Sequence, residues 1–236
     1  MDFPRITDVG DTAFNVEFGD GVDRSVNAQV VGLCRALGAA RPVGLVEVVP
    51  TFRSALIVYD PLATSRASLE AKVRDLVTGC ADAPSAVGRT WRIPVCFDAD
   101  LGPDLDAVRL AAGLDRDQAI ALFTGARYFV YMLGFMPGFG YLGEVPKPLR
   151  LPRRATPRVK VPAGSVAIAG AMGAVYPWES PGGWHLLGRT PVAFFDPARQ
   201  PPALLAAGDD VVFEPIDRAR YEGLCRQPPT LTAEDR

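Results

Sequence analysis

Tyr128-Phe-Val-Tyr-Met-Leu133, running into Gly134-Phe-Met-Pro-Gly-Phe-Gly-Tyr-Leu-Gly143, decides how this chain folds. The first half is β-branched and aromatic and predicts a strand. In the second half glycines alternate with aromatic residues. Downstream come Pro152-Arg-Arg-Ala-Thr-Pro-Arg158, Val161-Pro-Ala-Gly-Ser-Val-Ala-Ile-Ala-Gly170 and Tyr176-Pro-Trp-Glu-Ser-Pro-Gly-Gly-Trp-His-Leu-Leu-Gly-Arg-Thr-Pro191. Glycine and proline at this density around short apolar runs mean tight turns with specified backbone angles. Beyond Arg127 the pattern is β only, with further strands expected at Ser165–Ala169, Trp184–Leu187, Val192–Phe195 and Asp210–Phe213. Short strands at that spacing predict a barrel or sandwich.

The same region carries a local charge imbalance. Between Val145 and Trp178 there is no Asp or Glu, yet Lys147, Arg150, Arg153, Arg154, Arg158 and Lys160 all fall there. A loop-rich cationic stretch beside apolar strands suits an anionic ligand or an acidic partner surface. The whole chain has 236 residues and a formal net charge of −2, so the cations are a local feature and a generic nucleic-acid binder is disfavoured. With 48% hydrophobic and 22% charged residues a packed core is available. Cys34, Cys80, Cys96 and Cys225 lie far apart, with neither metal spacing nor a disulfide framework, and are expected to be reduced in the cytoplasm. The N-terminus lacks the cationic start and apolar run of a signal peptide, and no apolar run is long enough to span a bilayer.

Towards the N-terminus, Ala13–Phe18 alternates apolar and polar as a strand does. Val26, Val30, Leu33 and Leu37 have helical spacing, with Asp23 or Ser25 as cap and Gly38 as stop. Two more strands are expected at Gly44–Val49 and Ser54–Tyr59, then a helix carrying Leu69, Val73, Leu76 and Val77 and ended by Gly79. The order β-α-β-β-α predicts a split βαβ layout with two helices on one face of a small sheet. Ala81–Gly88 reads as a linker. After it, Leu105, Val108 and Ala112 mark a short helix, and Asp115-Arg-Asp-Gln118 a capping box for a helix carrying Ile120 and Phe123.

Two nucleotide-binding patterns are present and both fail in context. Gly138-Phe-Gly-Tyr-Leu-Gly143 fits G-x-G-x-x-G but is followed by Pro146, Pro148 and Pro152 where a helix must start. Gly183–Thr190 fits a P-loop with Arg for Lys, but its centre is bulky and strand-like. His185, the one histidine, is either a hydrogen-bonded strand residue or a general acid or base. Glu179, beside Ser180-Pro-Gly-Gly, either caps a turn or acts as a carboxylate base. Arg154, Arg158 and Arg189 sit in Gly/Pro-defined turns and offer guanidinium forks for carboxylate or phosphate. Ser165 and Thr190 are expected to add hydroxyl contacts to the same anion, and Phe135, Phe139, Tyr141 and Trp184 to form a pocket wall. No metal site is expected, since one His without a Cys pair cannot build a zinc site.

Taken together, the quoted segments, with Pro50-Thr-Phe-Arg-Ser54 and Gly102-Pro-Asp-Leu105, resemble the family of B-type subunits of 5-oxoprolinase. The family is also called allophanate hydrolase subunit 1 and carboxyltransferase domain, subdomain C and D, and includes a sporulation kinase inhibitor. The resemblance implies an α+β chain, with a small N-terminal α/β domain over 1–84 and a cyclophilin-like β-barrel over 89–217. Residues 218–236 then form a helical turn and a frayed tail. It implies a partner, the C-type subunit of 5-oxoprolinase. With a further A-type subunit it implies an enzyme that opens 5-oxoproline to glutamate using ATP as co-substrate. No intrinsic cofactor, nucleic acid or membrane is implied. Two positions depart from the family: Phe123 stands where a histidine is common, and Gly140 where a proline is. Two other functions fit the same resemblance, a regulatory protein that grips a kinase and an allophanate hydrolase or urea amidolyase component.

Overall fold

A computed structural model describes residues 3–80, 88–229 and 231–235. The chain divides into two compact units, Met1–Ala86 and Val87–Arg236. The linker expected at Ala81–Gly88 lies, apart from Gly88, outside the described residues.

The first unit is a four-stranded antiparallel sheet of β1 (Arg5–Val9), β2 (Ala13–Glu17), β3 (Leu45–Pro50) and β4 (Ser54–Tyr59), ordered β1-β2-β4-β3. Helix α1 (Arg24–Ala40) links β2 to β3, and α2 (Arg66–Cys80) follows β4. Both β2 and β3 are antiparallel to the β4 strand between them, so β2-α1-β3 is the expected split βαβ unit. Strand β1 was not expected: Arg5-Ile-Thr-Asp-Val9 is short and half-exposed and shows little alternation in composition. Asp23 caps α1 by accepting from Ser25 and Val26, and Val30, Leu33 and Leu37 are buried as their spacing requires. The helix continues past Gly38 and stops at Arg41, and α2 likewise runs through Gly79. Buried Asn27 donates from Nδ2 to Thr51 O (3.0 Å) and Phe52 O (3.2 Å), which pins the Pro50–Ser54 turn against α1.

The second unit is built on an eight-stranded sheet. In chain order its strands are β5 (Arg89–Val95), β6 (Arg127–Leu133), β7 (Gly140–Gly143), β9 (Ser165–Ala169), β10 (Met172–Val175), β12 (His185–Arg189), β13 (Asp210–Pro215) and β14 (Glu234–Asp235). They are ordered β12-β9-β10-β7-β6-β13-β5-β14. The sheet curls until its far strands meet: Cys96, just past β5, exchanges both backbone hydrogen bonds with Arg189 of β12 at 2.9 Å. A two-stranded ribbon, β8 (Arg158–Val161) with β11 (Ser180–Gly182), stands apart from it. Helices α3 (Leu105–Ala112), α4 (Arg116–Thr124) and α5 (Arg218–Arg226) complete the unit. The capping box at Asp115–Gln118 is formed on both sides.

The main core joins Ile93, Tyr128, Val130, Ile168, Leu187 and Phe213 inside the curl. A second cluster, with Phe139, Ala167, Tyr176, Trp184 and Leu186, lies on another sheet face. Val192–Phe195 is not a strand. Val192 and Phe194 are buried, but apart from a bridge at Phe195 they join no ladder, so the apolar run signalled burial rather than pairing. The tail expected to fray instead pairs Glu234 and Asp235 with Thr90 and Arg89 of β5. Gly138, first of the rejected G-x-G-x-x-G, has φ +81 and no room for a Cβ, which would lie 2.7 Å from Phe195 Cβ. The glycine serves close packing, and a strand follows.

Candidate functional site

Asp104 organises the cationic stretch from outside it. The carboxylate is buried, 5% exposed. Its Oδ1 accepts from Arg154 Nη1 (2.9 Å) and Arg158 Nη2 (2.7 Å), and its Oδ2 accepts from the backbone N–H of Leu186 (2.7 Å). The backbone N–H of Asp104 donates to Leu186 O at 3.0 Å. Asp104 therefore pairs with the free edge of β12 as a strand residue would and holds two arginines with its side chain. Close approach to that edge needs Gly102: a Cβ there would sit 1.9 Å from Leu187 O. This accounts for Gly102-Pro-Asp-Leu105 as a unit. Burial alone would push the Asp104 carboxyl up. The Arg158 hydrogen bond, the Leu186 N–H and the charges of Arg158 and Arg154 outweigh it and hold the group below the usual carboxylate range.

The expectation that the cations lack an acid is thereby corrected. Arg154 and Arg158 converge as expected, but on a carboxylate some fifty residues earlier, which no local reading could supply. The segment carrying Arg154 is tied at three points. Leu151 O accepts from Gly170 N (2.6 Å), Pro152 O bonds His185 Nε2 (2.9 Å), and Arg154 N donates to Gly183 O (2.8 Å). Because a carbonyl only accepts, His185 carries its proton on Nε2, leaving Nδ1 as a lone pair. Nδ1 is buried, and among the described residues it has no partner; the same holds for Arg154 Nε and Arg158 Nη1. His185 enters the arginine pair's neighbourhood through Leu186 on one side and the Pro152–Arg154 segment on the other.

The remaining expected site residues separate. Arg189 lies four residues along β12 from His185, ~13 Å at strand rise, and its side chain meets Tyr221 of α5 instead. Burial, with help from Cys225, pushes the Tyr221 hydroxyl up to about 12. Ser165 and Thr190 are buried at 0% and 3% and bonded within the fold: Ser165 Oγ donates to Pro162 O (2.7 Å), and Thr190 Oγ1 accepts from Val192 N (3.2 Å). Neither hydroxyl is presented to a ligand. Glu179 forms an exposed ion pair with Lys160 at 3.0 Å and has no bond to His185. The four aromatic residues expected to wall a pocket do come together, as a largely buried cluster. Phe139 packs edge-on against Phe135, Tyr141, Tyr176 and Trp184, with centroids 5.1–5.9 Å apart. Phe135 is 64% exposed and has φ +70. Phe123, at the position where the family often has histidine, is 1% exposed and stacked on Phe213 at 5.1 Å, deep in the core.

No group of three His, Cys, Asp or Glu among the described residues is placed to hold a metal ion. No helix among them is long and apolar enough to cross a membrane.

Residues 4–205 match the family model for the carboxyltransferase domain, subdomain C and D. A Bacillus subtilis (strain 168) protein, named as the B-type subunit of 5-oxoprolinase, is 36% identical over 227 residues, covering 92% of this chain and 95% of that protein. The crystal structure of TTHA0988 is similar at 41% identity and a TM-score of 0.78, over 87% of this chain; the match spans only 40% of that longer chain. The Kluyveromyces lactis urea amidolyase shares the fold at a TM-score of 0.79 and 20% identity, over 98% of this chain and 16% of its own length.

Proposed function

The chain belongs to the carboxyltransferase domain, subdomain C and D, family, and on that premise we propose that it is the B-type subunit of a 5-oxoprolinase. The assembled enzyme opens 5-oxoproline to glutamate at the expense of ATP, in the cytoplasm, with partner subunits of the A and C types. The carrying observation is the 36% identity along 95% of a protein bearing that name. A correspondence over the whole length supports a shared assembly as well as a shared fold. The site is consistent with this role. A small lactam carrying a carboxylate needs a cation for the carboxylate and a proton acceptor near the ring. His185 is the candidate acceptor: its Nε2–H is committed to Pro152 O, and its Nδ1, buried in this structure, must be uncovered before it can take and return a proton. The Arg154–Asp104–Arg158 clamp holds the segment bearing Pro152, and so the ring's orientation. Glu179, engaged by Lys160, takes no part in this step.

The test is co-expression with A-type and C-type subunits, followed by measurement of ATP-dependent glutamate formation from L-5-oxoproline. Turnover by the complex, lost in His185→Ala with the complex still assembled, supports the proposal. Failure of this chain to assemble with either of them overturns it.

A further inference from the structure

We propose that Arg153, not the neighbouring Arg154/Arg158 pair, is the cation that recognises the substrate carboxylate, with the ligand's ring lying against Phe135 and Tyr141. This rests on the reading of the site as one for a small lactam carboxylate.

The first argument is elimination among the cations. Arg154 and Arg158 share one buried carboxylate, and an incoming anion would have to compete with Asp104 for the same donors. Lys160 is paired with Glu179, and Arg150 Nε donates to Val145 O at 2.7 Å. Among the described residues Arg153 has no ion pair, and it is exposed. Lys147 is exposed as well, but it lies on a separate turn at Lys147–Leu149 and has no aromatic contact.

The second argument is the floor beneath Arg153. Its guanidinium carbon lies 5.9 Å from the Trp184 ring centroid. A guanidinium placed over an aromatic face keeps its in-plane N–H groups free, the geometry that grips a carboxylate bidentately. Trp184 is itself braced by Phe139 (5.9 Å) and Tyr141 (6.1 Å). Beyond Phe139, Phe135 projects into solvent from a left-handed backbone conformation that a bulky residue rarely adopts. Such strain persists where surrounding structure enforces it, and it clusters at ligand sites. One guanidinium without an ion pair, beside exposed Phe135 and half-buried Tyr141, suits a singly charged, compact ring better than a polyphosphate, which would call on several free cations.

The test compares L-5-oxoproline with pyrrolidin-2-one, the same ring without the carboxylate. In the assembled enzyme Arg153→Gln should raise KM for L-5-oxoproline about 10- to 100-fold, the loss typical of a charge-assisted hydrogen bond. kcat should change by less than about threefold, as expected for uniform binding. Arg153→Lys should recover part of the loss, and Arg153→Gln should no longer discriminate between the two lactams. Binding to the isolated chain, followed by NMR at the Trp184 indole, provides a second readout independent of turnover. An assembly that does not turn over L-5-oxoproline, while Arg153→Gln still abolishes carboxylate-dependent binding, overturns the enzyme assignment and leaves the Arg153 site standing. An unchanged KM, or loss of complex formation without loss of discrimination, overturns the Arg153 site. So does absence of L-5-oxoproline binding by both the isolated chain and the assembly.

Discussion

Replacing Asp104 with alanine should destabilise the second unit by ~3–5 kcal/mol, the cost of breaking a buried charge pair by removing one partner. The structure sets the scale. The carboxylate accepts three hydrogen bonds, and its loss strands the N–H of Leu186, a residue 2% exposed. An orphaned buried N–H alone costs ~1–3 kcal/mol. Two guanidinium bonds of ~1.5–3 kcal/mol each would overshoot if added in full. The side chains of Arg154 and Arg158, 34% and 22% exposed, recover part by turning to water. All three tryptophans, Trp91, Trp178 and Trp184, lie in the second unit, so intrinsic fluorescence during urea unfolding follows that unit alone. A unit of this size should lose ~6–20 °C in Tm. Asp104→Asn keeps one acceptor oxygen but turns its NH2 towards either the arginines or the Leu186 N–H, so it should lose nearly as much. The carboxyl is held low in the folded state, so its contribution is present above the unfolded value of ~3.9 and is lost as pH falls through the folded one. Asp104→Asn should therefore flatten the acid limb of the stability curve, though Asp100 and Asp106, also held low, keep some slope. A midpoint for Asp104→Ala within about 1 kcal/mol of wild type at unchanged m would refute the reasoning.

Other substitutions probe the same structure at single points. Gly102→Ala should cost at least ~2 kcal/mol in the fluorescence transition, because strand β12 must move to admit the Cβ. Gly32→Ala, inside α1 with nothing within 4 Å of the added methyl, should stabilise the first unit by ~0.5–1 kcal/mol, read by circular dichroism in urea. With iodoacetamide at pH 8 and peptide mass spectrometry, exposed Cys225 should be modified well before Cys34, whose thiol burial pushes up to about 12; equal rates would contradict the packing of α1. Nitrogen NMR of the single histidine should show the Nε2–H tautomer, and an Nδ1–H tautomer would remove the proposed proton acceptor.

How much of this was legible in the sequence depended on the range of each interaction. The α1 stripe, the Asp115 cap and strands β6 and β9 follow from local periodicity and capping chemistry, and they form where expected. Strand β10, Met172-Gly-Ala-Val175, was hidden by its small residues, and β14 by its position in a polar tail; tertiary pairing made both. That the aromatic residues cluster was legible because large rings next to glycines have few places to go. The partner of the arginines was not. Asp104 sits in a motif quoted for other reasons, and nothing near it in sequence is cationic until Arg109. From sequence an Asp before a helix reads as its cap; only the structure shows that Asp104 makes no side-chain capping bond and points to the arginines instead.

An acid-free stretch of sequence is thus a different thing from an unneutralised surface. β-Topology brings distant segments side by side, so charge balance is struck across strands and edges rather than along the chain. Here one carboxylate at the edge of β12 absorbs the two arginines that looked most like ligands from their turn context. Arg153, which the sequence did not single out from the other cations, keeps its charge available because its side chain is directed over Trp184 rather than towards Asp104. Adjacent arginines on one loop therefore divide into a structural and a recognising role. The division predicts opposite signatures: Arg154→Ala should lower stability with little effect on carboxylate discrimination, and Arg153→Ala should abolish discrimination with little effect on stability. If both variants lose both properties together, the two arginines act as one site and the division is wrong.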